Sequence, residues 1–374
     1  MVTVPALAEA AFLAPVTRHT RRTDIYLSDG TTEWLHDAPV IDGSVSVDYG
    51  RDERRALDIT FDNIDGVVSY SPTGFWYDKI IKCFRGVEYY DTSALSWKSW
   101  ETQIGAFMID TLKESNFPTT VSVSGRDYTK KMLTSKFVVM TTFAQGSSLD
   151  TTIKNIALTA GIPNSQTLIP ATGKTLGTDF IFDRGISKWE AAKQIADAYG
   201  FELYFDAFGI LTMRTYLDPV TSPLSYTFFT GEDGNLVTYE KSISDTRLYN
   251  HVVVSGESTD TLPVWAEARN DNPDSPTSIG RIGDRLYQYV SSFITTTAQA
   301  QDVADRFLGI HSLQEYDFNF SSLMLPWLEV GEVIEFIDPK TEETQPDRFL
   351  MDTLTIPLAL GPMSGTGKRV TVLG

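Results

Sequence analysis

The chain of 374 residues holds a single cysteine, Cys83. One thiol excludes an intramolecular disulfide framework and any multi-cysteine metal site. Within Ile80-Ile81-Lys82-Cys83-Phe84 it reads as a small buried apolar side chain rather than a reactive thiol. Histidine is scarce as well. His19, His36, His251 and His311 are the whole set, and no two lie at the short spacing of a local zinc-binding pair. Each reads as an ordinary surface or loop histidine, and no metal or cofactor is expected. Positive charge is also short: 31 basic residues stand against 49 acidic ones, a formal net charge of -18. Gripping nucleic acid by its phosphates needs a Lys/Arg surplus on at least one face. The balance argues against that mode but permits a wall past which nucleic acid slides, because like charge reduces sticking. No apolar run approaches the length of a membrane span. Gly-x-Ser-x-Gly, P-loop and Rossmann glycine patterns are absent too.

What is present is enough apolar material for a core. Hydrophobic residues make up 42% of the chain, which excludes disorder by composition, and the length suggests roughly two to three domains. Residues Val4 to Val16 are apolar, but Arg18, Arg21 and Arg22 follow the run instead of preceding it, the wrong order for a signal peptide. Residues 1–20 therefore read as an N-terminal arm that packs on its own body or on a neighbour, and the arm is expected to be ordered only against a neighbouring subunit.

Residues 21–128 are strand-rich. Ser44 to Tyr49, Leu57 to Asp62 and Thr120 to Ser124 alternate with period two, with turn residues such as Ser28-Asp29-Gly30 and Asn63-Ile64-Asp65-Gly66 between runs. This predicts an antiparallel β sandwich or barrel. Residues 129–225 change character. Ser147 and Ser148 can cap a helix with Leu149, Ile153, Ile156, Ala157 and Ala160 on one face and Gly161 as its stop. Ser187-Lys188-Trp189-Glu190 is a capping box opening a second helix, whose apolar face is Trp189, Ala192, Ile195, Ala196 and Tyr199. Gly200 ends it, and a hairpin follows from Phe201 to Met213. Residues 226–374 return to strands, with one helix from Thr297 to about Leu308 and a polar loop near 256–285. The expected fold class is mainly β with an α/β insert: two antiparallel β domains of barrel or sandwich type flanking a small α/β domain.

Candidate chemistry is thin. Acidic pairs such as Asp58/Asp62, Asp302/Asp305 and Glu342/Glu343 arise by chance among so many acids, and glycosidase carboxylates are placed by fold rather than by spacing. Asp271 to Asp274 could offer oxygen ligands to calcium, but it lacks EF-hand spacing and reads as an ordinary Asn-Pro turn. Trp97-Lys98-Ser99-Trp100, with Tyr89 and Tyr90, could be a sugar platform; packing across a sheet or at an interface is the plainer reading.

From Phe107-Met108-Ile109-Asp110 into Val121-Ser122-Val123-Ser124-Gly125-Arg126-Asp127 the pattern resembles the bacteriophage tail-hub family, the baseplate hub and minor tail proteins of long-tailed phages. The matching features run in order from about residue 100 to 340. They are the Gly125-Arg126-Asp127 turn, the short helix Tyr128 to Leu133, the helix opening the insert, the Trp189 helix, Gly200 with its hairpin, and Pro326-Trp327-Leu328-Glu329-Val330-Gly331-Glu332-Val333. The resemblance implies two tube-type β domains per chain and a homotrimer whose six similar domains form a ring. Such a ring adapts a sixfold tail tube to a threefold tip. Implied partners are a distal tail or tail-tube protein, the tape-measure protein, and other tail-tip or fibre proteins; DNA would pass the lumen without specific binding. The implied location is the tail tip of the virion. The role needs self-complementary surfaces and no catalytic site, so no enzyme is expected, and the chain leaves no room for the hydrolase domain some relatives carry. Gly125, Arg126, Asp127, Trp189, Gly200, Pro326 and Gly331 are then structural positions. Three alternatives stand beside this: a hexameric distal tail protein, a host-glycan-binding tail protein, and a cell-wall hydrolase.

Overall fold

A computed structural model describes residues 3–14, 16–117, 119–216, 222–231, 234–242, 248–256, 264–291, 293–312, 317–337 and 347–369. The first part holds helix α1 (Ala6–Phe12) and strands β1 (Arg18–Tyr26), β2 (Glu33–Leu35), β3 (Val40–Asp48), β4 (Arg55–Asp62), β5 (Ile80–Asp91), β6 (Ser96–Asn116) and β7 (Thr119–Arg126). Alternation decides which face each strand buries. In β4, Leu57, Ile59 and Phe61 point inward while Asp58 points out; in β7, Val121 and Val123 point inward.

Next come α2 (Thr129–Thr134), β8 (Thr141–Phe143), α3 (Leu149–Thr159), β9 (Thr167–Leu168), β10 (Phe180–Phe182), α4 (Lys188–Ala198), β11 (Phe201–Phe205) and β12 (Leu211–Thr215). The expected caps form. Ser148 Oγ accepts from Thr151 N, and Ser187 Oγ accepts from Glu190 N. Of the two bonds in a capping box, the Ser187 one is made, while the Glu190 carboxylate takes Gln194 Nε2 one turn on. Trp189, Ala192, Ile195 and Ala196 are buried, and β11 and β12 pair as the predicted antiparallel hairpin.

The last part holds β13 (Leu224–Phe229), β14 (Leu236–Ser242), β15 (His251–Ser255), β16 (Trp265–Arg269), α5 (Ile279–Ile282), β17 (Leu286–Val290), α6 (Thr297–His311), β18 (Asp317–Ser322), β19 (Val333–Ile337), β20 (Asp347–Pro357) and β21 (Met363–Arg369). The predicted strand from Lys368 to Leu373 lies partly outside the described residues. The polar loop near 256–285 contains more structure than its composition suggests. Trp265-Ala266-Glu267-Ala268-Arg269 alternates and forms β16, its two alanines turned to the core.

The strands of the first and last parts join one sheet, in the order β14-β18-β21-β20-β3-β4-β7-β6-β5-β1-β2, with β19 on β20 and β13 on β19. The seam is β20 against β3, with Leu354 opposite Val47 and Ile356 opposite Val45. β20 is long enough to pair with β19 through its first half and β3 through its second. One core follows the seam, so Phe318, Phe320 and Phe349 belong to the same apolar cluster as Val45, Leu57 and Phe61. Cys83 lies in that core, fully buried, and burial pushes its thiol up to about 12. The insert has a separate core built around Trp189. The described residues between 250 and 312 form a third unit, with α6 packed on the sheet β16-β15-β17.

The N-terminal arm differs from expectation. Within this single chain Ala8 and Phe12 are buried, and the Phe12 ring meets Trp327 at 5.2 Å and Trp100 at 6.0 Å. The arm therefore has its partner within its own chain. Of the two readings the sequence left open this is packing on its own body, and the expectation of order only against a neighbour fails because Trp100 and Trp327 are far away along the chain.

Candidate functional site, a junction around Arg55

The motif residues scattered along the sequence converge on two adjacent arginines at the start of β4. Arg55 N donates to Asp127 Oδ2 at 2.9 Å, and Thr129 N donates to Asp127 Oδ1 at the same distance. Gly125 and Arg126 are not a turn, as the sequence suggested, but the last residues of β7, and Asp127 directly after them locks β7 to β4 and starts α2. Asp127 is 1% exposed, and burial raises its carboxyl above the usual range against those two backbone donors. The Arg55 guanidinium reaches further. Its Nη1 donates to Phe205 O at 2.9 Å, and its Nη2 pairs with the Glu329 carboxylate. Phe205 also carries the ring against which Trp189 stacks, with centroids 6.2 Å apart. The Gly125-Arg126-Asp127 segment, the hairpin on which Trp189 packs, and the Pro326-to-Glu332 segment therefore meet at one residue, the first through its backbone and the other two through its guanidinium.

Arg54 makes the parallel link. Its guanidinium pairs with the Glu202 carboxylate in β11 and lies 4.1 Å over the Tyr204 ring. Arg214 Nε donates to Glu202 Oε2 at 2.8 Å from β12. Burial alone would push Glu202 up, but the two guanidiniums outweigh it and hold its carboxyl below the usual range. At Glu332 the counterweight, a backbone donor and the more distant Arg214, is too weak to offset burial. Burial pushes the Glu332 carboxyl up to about 7, and its principal donor is Glu329 N at 3.2 Å.

The other motif positions serve backbone geometry. Gly125 lies where a Cβ would stand 2.9 Å from Met108 O in β6, and Gly331 has φ +77 with Tyr49 and Arg214 in the space a Cβ would enter. Gly200 follows α4 with φ +78. Arg126 points outward, with Nε 2.6 Å from Asp110 Oδ2 and a second pairing to Glu53. Pro326 and Trp327 are buried, and Trp327 packs on Phe12 of α1. Sequence reasoning missed Arg54, Arg55, Glu202, Arg214 and Glu329. The available signal was two charges directly before an alternating strand, where the first inward position is expected to be apolar.

Two surfaces also bear on function. The outer face of β3, β4, β7 and β6 carries small hydroxyl and acid side chains: Ser44, Asp58, Thr60, Ser122 and Ser124, with Thr60 Oγ1 3.2 Å from Ser122 Oγ. Lys113 stands among them, and the nearby Arg126 is engaged by carboxylates. The aromatic cluster splits. Trp100 packs inward on Phe12 and Trp327, whereas Trp97 and Tyr90 are exposed and face each other at 5.7 Å, with Arg18 over the Trp97 ring. In the loop after β16, Asp271 is engaged by Arg269 Nε at 3.3 Å and Asn272 Oδ1 accepts from Asp274 N, which is turn geometry.

This architecture, a mainly β body with an α/β insert, is the fold of phage tail proteins. The tail protein from Neisseria meningitidis MC58 superposes over 93% of this chain and 96% of its own, with a TM-score of 0.63 at 15% identity. The 43 kDa tail protein of prophage MuSo2 from Shewanella oneidensis covers 93% and 98%, with a TM-score of 0.61 at 12% identity. Prophage tail protein gp18 from Listeria monocytogenes EGD-e covers 93% and 94%, with a TM-score of 0.54 at 11% identity. No sequence-family model and no curated protein matches the chain. Among the described residues, no helix is long and apolar enough to cross a membrane.

Proposed function

We propose that this protein is a structural, non-enzymatic subunit of a phage tail tip, three copies of which form a hub ring. The observation that carries this reading is the fold shared with phage tail proteins along nearly the whole chain. Two strand-rich regions in one chain, fused at the β20–β3 seam, suit a trimer that offers six β modules to a sixfold tube. The ring would sit between a distal tail or tail-tube protein and the tip or fibre proteins, and would let the tape-measure protein and then DNA pass. The hydroxyl-and-acid face of β3, β4, β7 and β6 suits a channel wall, because it gives a polyanion few cations to hold. The Arg54–Arg55 junction supports the same role by making the β body and the insert one rigid part.

Negative-stain imaging of the purified protein, alone and with its tail-tube partner, tests the reading. A threefold ring with an axial hole is expected. A sixfold ring would favour a hexameric distal tail protein instead. Lone monomers under both conditions would count against an assembly role. A host-glycan-binding role rests on the exposed Tyr90–Trp97 pair, and glycan-array binding lost in Trp97→Ala would favour it.

A further inference from the structure

The paired strands β1 and β2 gather three metal-ligating side chains that play no part in the junction. Asp24 lies in β1, Glu33 opens β2, and His36 follows β2. One ligand atom from each lies within 4.8 Å of the others. His36 Nδ1 stands 3.2 Å from Asp24 Oδ1 and 3.3 Å from Glu33 Oε2. A single ring N–H can point at only one acceptor. The Glu33 contact has hydrogen-bond geometry, and the Asp24 contact is an ion-pair approach. His251 shows the contrasting arrangement. Its Nδ1 meets Asp284 at 2.9 Å and its Nε2 meets Glu267 at 3.3 Å, so each nitrogen has its own carboxylate. Tetrahedral zinc with oxygen and nitrogen ligands at about 2.0–2.2 Å sets its ligand atoms about 3.3–3.6 Å apart. The two distances around His36 Nδ1 are close to that edge length.

The ligands are also held in place. Asp24 is fully buried and divides its oxygens. Oδ2 faces Arg22, while Oδ1 takes Asp37 N at 3.0 Å and faces His36. Asp37 has φ +46, the left-handed region that non-glycine residues rarely adopt, directly after His36. The His36 and Glu33 side chains are 59% and 46% exposed, which leaves a path for an ion and a coordination position for water.

We infer that Asp24, Glu33 and His36 form a binding site for a divalent transition-metal ion of the zinc type, with water as the fourth ligand. The bound ion ties β2 to the buried carboxylate of β1. Arg22 acts from outside the ligand set, fixing which Asp24 oxygen is offered. No local histidine pair marks the site, because two of its three ligands are carboxylates and one of them comes from the neighbouring strand.

The full-length protein, stripped with EDTA and dialysed, should be titrated with Zn2+ by calorimetry and with Co2+ by visible absorption. One ion per chain is expected, with the strong visible bands of four-coordinate cobalt. His36→Ala should weaken zinc binding by at least about tenfold, since loss of even an outer-shell partner costs about 10–100-fold. His251→Gln should leave that affinity unchanged. The metal-free melting temperature of His36→Ala should match wild type, because the side chain is largely exposed. Absence of zinc binding, equal affinity in His36→Ala, or binding of Mg2+ as tight as Zn2+ would overturn the inference.

Discussion

The insert between β7 and β13 and the smaller unit between residues 250 and 312 both pack helices on a short three-stranded sheet, yet different forces hold them. The insert buries large side chains, among them Trp189, Phe180, Phe205, Ile195 and Leu211. It is bolted to the β body by the buried Arg54–Glu202 ion pair and by Arg55 Nη1, which donates to Phe205 O. Apart from Ile294 the smaller unit buries small ones, Val252, Val254, Ala266, Ala268, Ala300, Val303 and Ala304, while Tyr287, Tyr289 and Phe307 are only partly covered. Apolar stabilisation follows buried area, so the smaller unit draws less from its core. It relies on amides instead: Asn250 and Asn270 bond backbone carbonyls and hydroxyls inside it. The same architecture can thus be made stiff by large side chains and charge, or kept in shape by directed hydrogen bonds.

The largest effect that would sharpen the contrast is at Trp189. The side chain is 1% exposed and stacks on Phe205. Trp189→Ala should cost about 3–5 kcal/mol, the range for large-to-small changes at buried aromatics. A denaturation midpoint equal to wild type would remove the distinction between the two cores. Glu202→Ala comes next. It leaves Arg54 and Arg214 without their shared carboxylate, and breaking one side of a buried ion pair costs about 3 kcal/mol or more. If Glu202→Ala melts like wild type, the junction is ornamental and the rigidity of the insert comes from its apolar core alone.

What was legible in the sequence divides along the same line. The insert announced itself because Ser148, Ser187, Trp189 and Gly200 are local signals, each acting within one turn of the chain. The alternating strands were legible for the same reason. The joining of first and last parts into one sheet was not, since the β20–β3 pairing links residues some three hundred positions apart and neither strand's pattern names its partner. The burial of α1 escaped for that reason too. The motif residues of the junction were singled out, but the arginines that gather them were not, because a charge beside a strand ordinarily means solvent. In the smaller unit β16 was passed over, since its inward residues are alanines and its composition reads as loop.

Glu332 gives a smaller effect with a defined pH window. Burial pushes its folded-state carboxyl up to about 7 from an ordinary 4.5. Below pH 4.5 the folded and unfolded chains both keep the proton, and the residue costs nothing. Between 4.5 and 7 the unfolded chain releases it and the folded chain holds it, so stability falls as pH rises and levels off above 7. The full cost is up to about 3 kcal/mol. Glu332→Gln removes this ionisation, so its stability at about pH 8 should exceed wild type and its fall from about pH 5 should be shallower. Parallel pH profiles would show that the β-body side of the junction tolerates the charge.

The smallest expected effect tests the amide-held unit. Asn250 is fully buried; its Nδ2 donates to Thr277 O at 3.0 Å and Gly283 O at 2.8 Å, and its Oδ1 accepts from Arg285 N at 2.8 Å. Asn250→Ala strands those backbone groups and should cost about 1–3 kcal/mol. The loss should be local, because the unit has its own core and its own sheet. Amide hydrogen exchange should then quicken at Val252 and Val254 while Leu203 in the insert keeps its protection. If Leu203 quickens equally, the two units open as one body, and the different forces that build them make no difference to how the protein comes apart.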